Sequence, residues 1–455
     1  MGFGEDLGRG CGPRRTDVAV VQLPAFARWH HDRLACLPGM RAAILASWLA
    51  AMPCGGGGPH PDAAPDAPTR TYRLASAAVQ LDPAAGPVFT DPDLAGDVDV
   101  VNVHQDFFGV PWTDFAADRP PPPAWAARMT GLAQDSHATG KDIFLALAPL
   151  DGDRSHLAPD AVASASGFDL VHAWKPACYN LATEADGDAL RTAYSRYVDY
   201  MVHLFQPRWT NVAVEVSLFH VTCAAAWDGM VALERDAYAA AKRAAPGPAF
   251  PSIQIDALYG RAGCSPPRTA AQCYEIDYAA IAGLSRDRFA ISTYPYNFAG
   301  FPRPEDVPPD YLSRAAARAG EPLVIAETGW LATDVIVTDQ NLQCLTAVTS
   351  SPAAQAAYFD RVLTDAIAHD VELVTWISNR DFLAAPVMTD CPCTFSQPWC
   401  DLVRTVRGQG TPTAQRDAEV GLKIFGTMGI RDHDGAPRQP IFDHWTQARS
   451  PALAP

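Results

Sequence analysis

The stretch PLVIAETGW, Pro322 to Trp330, drives a short branched apolar run into a glutamate and turns at once at a glycine. A strand interior has no use for an unpaired carboxylate, because burying a charge without partners is costly. At the tip of a strand the same carboxylate can face a pocket while the strand fixes its position. Runs of this kind recur along the chain: RLASAAVQL (73–81), DVVNVHQDF (99–107), DIFLALAPL (142–150), NVAVEVSLF (211–219), SIQIDALYG (252–260), RFAISTYPY (288–296), PLVIAETGW and VELVTWISN (371–379). Each is mostly apolar through its middle, as expected of strands covered on both faces.

Helical stretches lie between several of them. In residues 189–207, Leu190, Tyr194, Tyr197, Val198, Met201, Val202 and Phe205 form one stripe and Pro207 ends it. Residues 350–370 open with Ser351 and Pro352, a cap and a first-turn proline, and the pattern turns Val362, Leu363 and Ile367 inward. Strands alternating with helices imply parallel pairing. Eight such units predict an α/β fold, a closed (β/α)8 barrel forming a single domain over residues 70–448 with long βα loops and a tail at 449–455. The spacing between the third and fourth strands is too wide for a plain helix, so residues 151–180 form an elaborate loop, which on a rigid barrel faces the substrate.

The N-terminal part reads differently. From Met40 one arginine precedes a short apolar run, then small residues and Cys54, then four glycines. This is too short to span a bilayer and has the shape of a secretory signal over 40–54. Cys54 sits as in a bacterial lipoprotein site, although Pro53 stands where a small residue is usual. Residues 1–39 then lie upstream of the true start, and 55–69 form a flexible tether. The expectation is an exported protein, a lipoprotein at the cell surface or in the periplasm touching the membrane only through a lipid on Cys54, or otherwise a secreted protein. Beyond Cys54 eight cysteines remain, an even number that suits disulfides in an exported protein, with Cys264 pairing Cys273. Cys391, Cys393 and Cys400 lack metal-ligand spacing and a nearby histidine, so no metal and no cofactor are expected. Net charge is −16 with no basic run, which argues against a nucleic-acid partner; a monomer is expected.

In this fold the working groups stand at the C-terminal ends of strands. Those ends carry His104, Gln105 and Asp106 on the second strand and Glu215 on the fourth. They carry Tyr294 and Tyr296 on the sixth, Glu327 on the seventh, and Trp376 and Asn379 on the eighth. Two carboxylates opposite each other across a barrel mouth suit glycoside cleavage, in which one carboxyl protonates the leaving oxygen and the other attacks or stabilises the anomeric carbon. Aromatic faces then stack on sugar rings.

VIAETGW resembles the nucleophile strand of the clan A glycoside hydrolases, most of all the arabinogalactan endo-β-1,4-galactanases and, more loosely, endo-β-1,3-glucanases. ISTYPY resembles the sixth strand of the galactanases, and GIRDHDGAPRQPIFDHW the end of such barrels. The resemblance implies a retaining enzyme with Glu327 as nucleophile and Glu215 as acid/base. It also implies Tyr294 bonded to Glu327 and Trp376 flooring a sugar subsite, with a β-linked poly- or oligosaccharide of galactan or glucan type as substrate. By position, His104 at the end of the second strand and Trp330 in a rim loop are further candidates to contact it. Two positions depart from the pattern. Val214 stands where these enzymes place an Asn that holds the sugar 2-hydroxyl, and His104 and Gln105 stand where an arginine is common. A barrel that binds glycans without cutting them, and a transglycosylase, are the alternatives.

Overall fold

A computed structural model describes residues 69–82, 86–256, 278–297, 300–339, 341, 343–408 and 412–454. Cys54, the segments 1–39, 40–54 and 55–68, and the Cys264 and Cys273 pair lie outside the described residues. Eight strands close into a parallel barrel in sequence order: β1 (Arg73–Ala77), β2 (Val100–His104), β3 (Asp142–Ala146), β4 (Trp209–Ala213), β5 (Ala249–Gln254), β6 (Phe289–Thr293), β7 (Leu323–Thr328) and β8 (Leu373–Trp376). The expected (β/α)8 architecture is thus the observed one.

The barrel interior is filled by side chains rather than open. Ala75, Val100, Phe144, Ala146, Trp209, Phe250, Ala290, Val324 and Leu373 form an inner cluster, separate from the larger core between strands and helices. Phe144 and Phe250 meet with ring centroids 6.0 Å apart. This plug of apolar groups holds the strands rigid beneath the mouth where their C-terminal ends diverge.

Around the barrel run α1 (Pro123–Ala138), α2 (Gly187–Phe205), α3 (Trp227–Ala244), α4 (Tyr311–Ala319), α5 (Pro352–Ala368), α6 (Gln397–Arg407), α7 (Pro412–Lys423) and α8 (Ile441–Arg449). The predicted stripe of α2 is buried along its whole length, and the helix ends at Gln206 in the left-handed conformation, just before Pro207. Ser351 caps α5, its hydroxyl accepting from the Ala354 amide at 3.2 Å. The inward face of α5 is corrected: Val362 is buried, but Ile367 is 58% exposed and the stripe continues through Ala366. Five residues on from Val362 is a rotation of about 140° from its face, whereas four residues return to it.

Two other boundaries differ from the sequence pattern. The fourth strand stops at Ala213, and a turn leads into a short helix at Ser217–Thr222, so Glu215 lies beyond the strand. At the chain ends, Thr69–Arg70 pairs in parallel with Ala452–Leu453, so the domain takes in part of the stretch expected to be a tail. The loop after β3 contains a hairpin, Asp160–Ser164 with Gly167–Val171, and is tied to the segment after β4 by the Cys178–Cys223 disulfide. Cys344–Cys391 and Cys393–Cys400 are also disulfides, so all three clustered cysteine sulfurs are engaged. Among the described residues no helix is long and apolar enough to cross a membrane.

Candidate active site

Glu327 stands near the end of β7, where simple alternation would turn it away. Val324 and Ala326 belong to the inner cluster, so the next residue should face the helices. The ladder slips here: Ile325 pairs with Ile291 of β6, but the next pair is Glu327 with Ser292, which leaves Ala326 as an extra residue. Such a bulge re-aims a side chain, and Glu327 meets the groups at the barrel mouth. Its Oε2 accepts from the Tyr294 hydroxyl at 3.1 Å and its Oε1 is 3.1 Å from His104 Nε2.

Glu215 sits in the turn after β4 with φ of 50°, in the left-handed region. For a residue other than glycine that costs on the order of 1–3 kcal/mol and persists only where the surroundings impose it. Here the Glu215 amide donates to Ser252 Oγ on β5 at 2.9 Å. The carboxylate is held by Arg154, whose Nε and Nη2 both lie 3.2 Å from Oε2. Arg154 also has a positive φ, 55°, in the loop after β3, and its Nη2 donates to Asp106 at 2.9 Å.

One unbroken chain of polar groups therefore crosses the mouth: Glu215, Arg154, Asp106, His104, Glu327 and Tyr294. The ring of His104 lies between two acids, with Nδ1 3.7 Å from Asp106 and Nε2 against Glu327. Burial works against the imidazolium, but the Asp106 and Glu327 carboxylates outweigh it and push its pKa up to about 9. His104 is thus a cation at neutral pH. Glu215 goes the other way for a carboxyl: burial first, then the nearby Glu327 charge, raises it to about 8 against the opposing pull of Arg154. At neutral pH Glu215 carries a proton. The Asp106 carboxylate lies between the two cations, His104 and Arg154, so charges this deeply buried are paired rather than isolated.

Tyr294 is itself held in place. Its backbone amide donates to Asp256 Oδ2 at 2.7 Å, and Asp256 also accepts from Gln254 and Thr293. Burial raises Asp256 to about 7 despite these donors. The ring edge of Tyr294 rests against Phe425, centroids 5.1 Å apart.

The site therefore gathers Glu215, Glu327, His104 and Tyr294. It does not gather the two tryptophans. Trp376 alternates outward on β8, fully buried edge-on against Phe359 of α5, with its indole N–H donating to the Met428 carbonyl at 2.6 Å. Trp330 is fully buried between Tyr358 and Tyr296, its N–H donating to Ser350 Oγ at 3.1 Å. Neither has a free face or a free donor for a sugar, so both are corrected to supporting residues. Asn379 turns to the loop after β1, where it donates to Asp91 and Asp97.

No family model matches the sequence, and no curated protein matches it. Solved structures do. A GH5_18 protein from Streptomyces cattleya in complex with GlcNAc superposes with a TM-score of 0.50 at 14% identity, covering 85% of this chain and 83% of that one. The exo-β-1,4-mannosidase Op5Man5 from Opitutaceae bacterium strain TAV5 gives 0.48 at 14%, covering 84% and 60%, and a fungal β-1,4-galactanase gives 0.42 at 13%, covering 76% and 98%. The chain thus shares the closed (β/α)8-barrel fold of that GH5_18 structure.

Within that barrel fold, sequence reasoning missed Arg154, and it named Asp106 without giving it a role. Arg154 lies in DGDRSHLAPD, a stretch with the look of an ordinary polar loop. The available signal was indirect: an acid as enclosed by apolar residues as Glu215 requires a cation, and the long loop after β3 carries one. Val214, the departure from the clan pattern, is buried in the inner cluster and presents no polar group.

Proposed function

We propose that the protein is a retaining glycoside hydrolase acting on a β-linked glycan of galactan or glucan type, with Glu327 as nucleophile and Glu215 as acid/base. The observation that carries this is the pairing of two glutamates in opposite settings on one polar chain. Glu215 holds a proton at neutral pH, as a leaving-group acid must. Glu327 has each oxygen against a donor, from His104 and from Tyr294, so its lone pairs are aimed by two fixed groups. Cleavage begins as a Glu327 oxygen bonds to the anomeric carbon while the bond from that carbon to the glycosidic oxygen breaks, and the Glu215 proton passes to that oxygen so that the leaving group departs as an alcohol. Water then attacks the anomeric carbon, the bond to Glu327 breaks and frees its carboxylate, and Glu215, now ionised beside Arg154, takes up the water's proton. Arg154 suits this second half, since it steadies the anion that the first half creates.

Replacing Glu327 by Gln tests the assignment: hydrolysis of β-linked galactans, glucans and mannans, followed by released reducing ends, should disappear while circular dichroism stays native. Undiminished hydrolysis by that variant would remove the nucleophile and the mechanism with it. Proton NMR of the first-formed anomer tests retention. A second reading, capture of glycans without cleavage, is favoured by Val214 and by the Arg154 guanidinium that already occupies Glu215 Oε2. Binding without reducing ends would support it, and longer products would indicate transglycosylation. For location, we propose export and anchoring through Cys54; the three disulfides among the described residues fit an oxidising compartment.

A further inference from the structure

Beside the barrel mouth lies a second cavity, of about 470 Å³, between the loop after β1, the outer face of β2 and α1. His104, which reaches Glu327 at the barrel mouth, and Gln105, the next residue, both line this cavity. Gln105 is 2% exposed, and neither its Nε2 nor its Oε1 has a partner. An orphaned amide this deeply buried costs on the order of 1–3 kcal/mol per group and calls for an occupant that both donates and accepts. Phe89 and Phe108, centroids 4.7 Å apart, supply aromatic wall.

The opposite wall, from α1, supplies acceptors. Ser136 and Thr139 spend their hydroxyl protons on the Leu132 and Ser136 carbonyls, which leaves oxygen lone pairs, and Asp135 adds a carboxylate. A wall of acceptors facing one amide and two phenyl rings fits a molecule rich in hydroxyl donors with an apolar face. A vicinal diol meets an amide through two hydrogen bonds, and the C–H face of a pyranose lies against an aromatic ring. A flat heterocyclic base would also match the amide but would leave the acceptors of α1 unmet.

We propose that this cavity is a carbohydrate-binding site distinct from the Glu215 and Glu327 site, sized for one or two sugar rings. The two sites meet at His104, which lines this cavity and bonds Glu327; the proposal rests on Gln105, the two phenyl rings and the α1 wall, so it does not need the glycosidase reading to hold. Crystals of the full chain soaked with methyl β-galactoside, methyl β-glucoside and methyl β-mannoside should show a ring bonded to the Gln105 amide for at least one of them. Calorimetry with that sugar should show Gln105→Met weakening binding at this site by about tenfold or more, while kcat/KM on an aryl β-glycoside stays unchanged. Leu132→Phe, which narrows the cavity from α1, should act in the same way and serves if Gln105→Met fails to fold. A cavity holding only ordered water in saturated crystals, or affinity indifferent to both substitutions, overturns the proposal.

Discussion

Replacing Arg154 by Met removes one charge from the centre of the polar chain and leaves most of the side-chain volume. Both guanidinium nitrogens that face Glu215 lie 3.2 Å from its Oε2. A unit charge with its centre about 4 Å away, at an effective dielectric of about 20, is worth roughly 4 kcal/mol, or about 3 pKa units. Carboxyls beside an arginine are observed to fall by about 1–3 units, so the shift on its removal should lie in that range. The sign is upward: without the cation the ionised form of Glu215 is less favourable, and its pKa climbs from about 8. His104, which Arg154 now holds down, climbs as well from about 9. Because the protonated Glu215 is the active acid, the alkaline limb of kcat/KM against pH should move up by about 1–3 units, measured with an aryl β-glycoside. Activity below the limb should fall, since the acid becomes weaker and loses its anchor. Asp106 also loses its partner, so thermal unfolding should be followed in parallel, and Arg154→Lys should return the limb toward its original position. A limb that stays in place or moves down would refute the control of Glu215 by Arg154.

Glu215→Gln should lower the turnover of natural glycosides by about 10²–10⁴-fold, with a smaller loss on aryl glycosides whose leaving groups need no proton, and added azide should restore turnover as the glycosyl azide. Tyr294→Phe removes one of the two donors to Glu327; a hydrogen bond to a charged group is worth about 1.5–3 kcal/mol, so kcat should fall by about tenfold to a hundredfold with the fold intact. On α5, Phe359→Ala should destabilise by about 3–5 kcal/mol in denaturant unfolding, because Phe359 is fully buried against Trp376 and Trp445. Ile367→Ala, at an exposed position, should change stability by no more than about 0.5 kcal/mol.

The barrel was legible because its signals are local. Branched runs ending in polar or aromatic groups, separated by helical stripes such as that of α2, leave few other ways to bury so much apolar surface. Glu327 and Tyr294 were legible for the same reason: each closes a strand whose end must lie at the mouth. What the strand pattern could not supply was direction. Trp376 and Trp330 occupy positions as prominent as Glu327, yet alternation on β8 and packing against α5 turn both into the core. Only the slipped pair between β6 and β7 turns Glu327 to the mouth.

Sequence by itself determined that two acids would stand at the ends of two strands of one barrel. Tertiary structure alone decided their chemistry. Arg154 comes from a loop 61 residues before Glu215, and His104 from a strand 223 residues before Glu327. A carboxyl's proton affinity depends on which charges lie within a few ångströms and how much water is excluded. Neither quantity is a property of the neighbouring residues in the chain, so neither can be read until the loops have closed over the mouth.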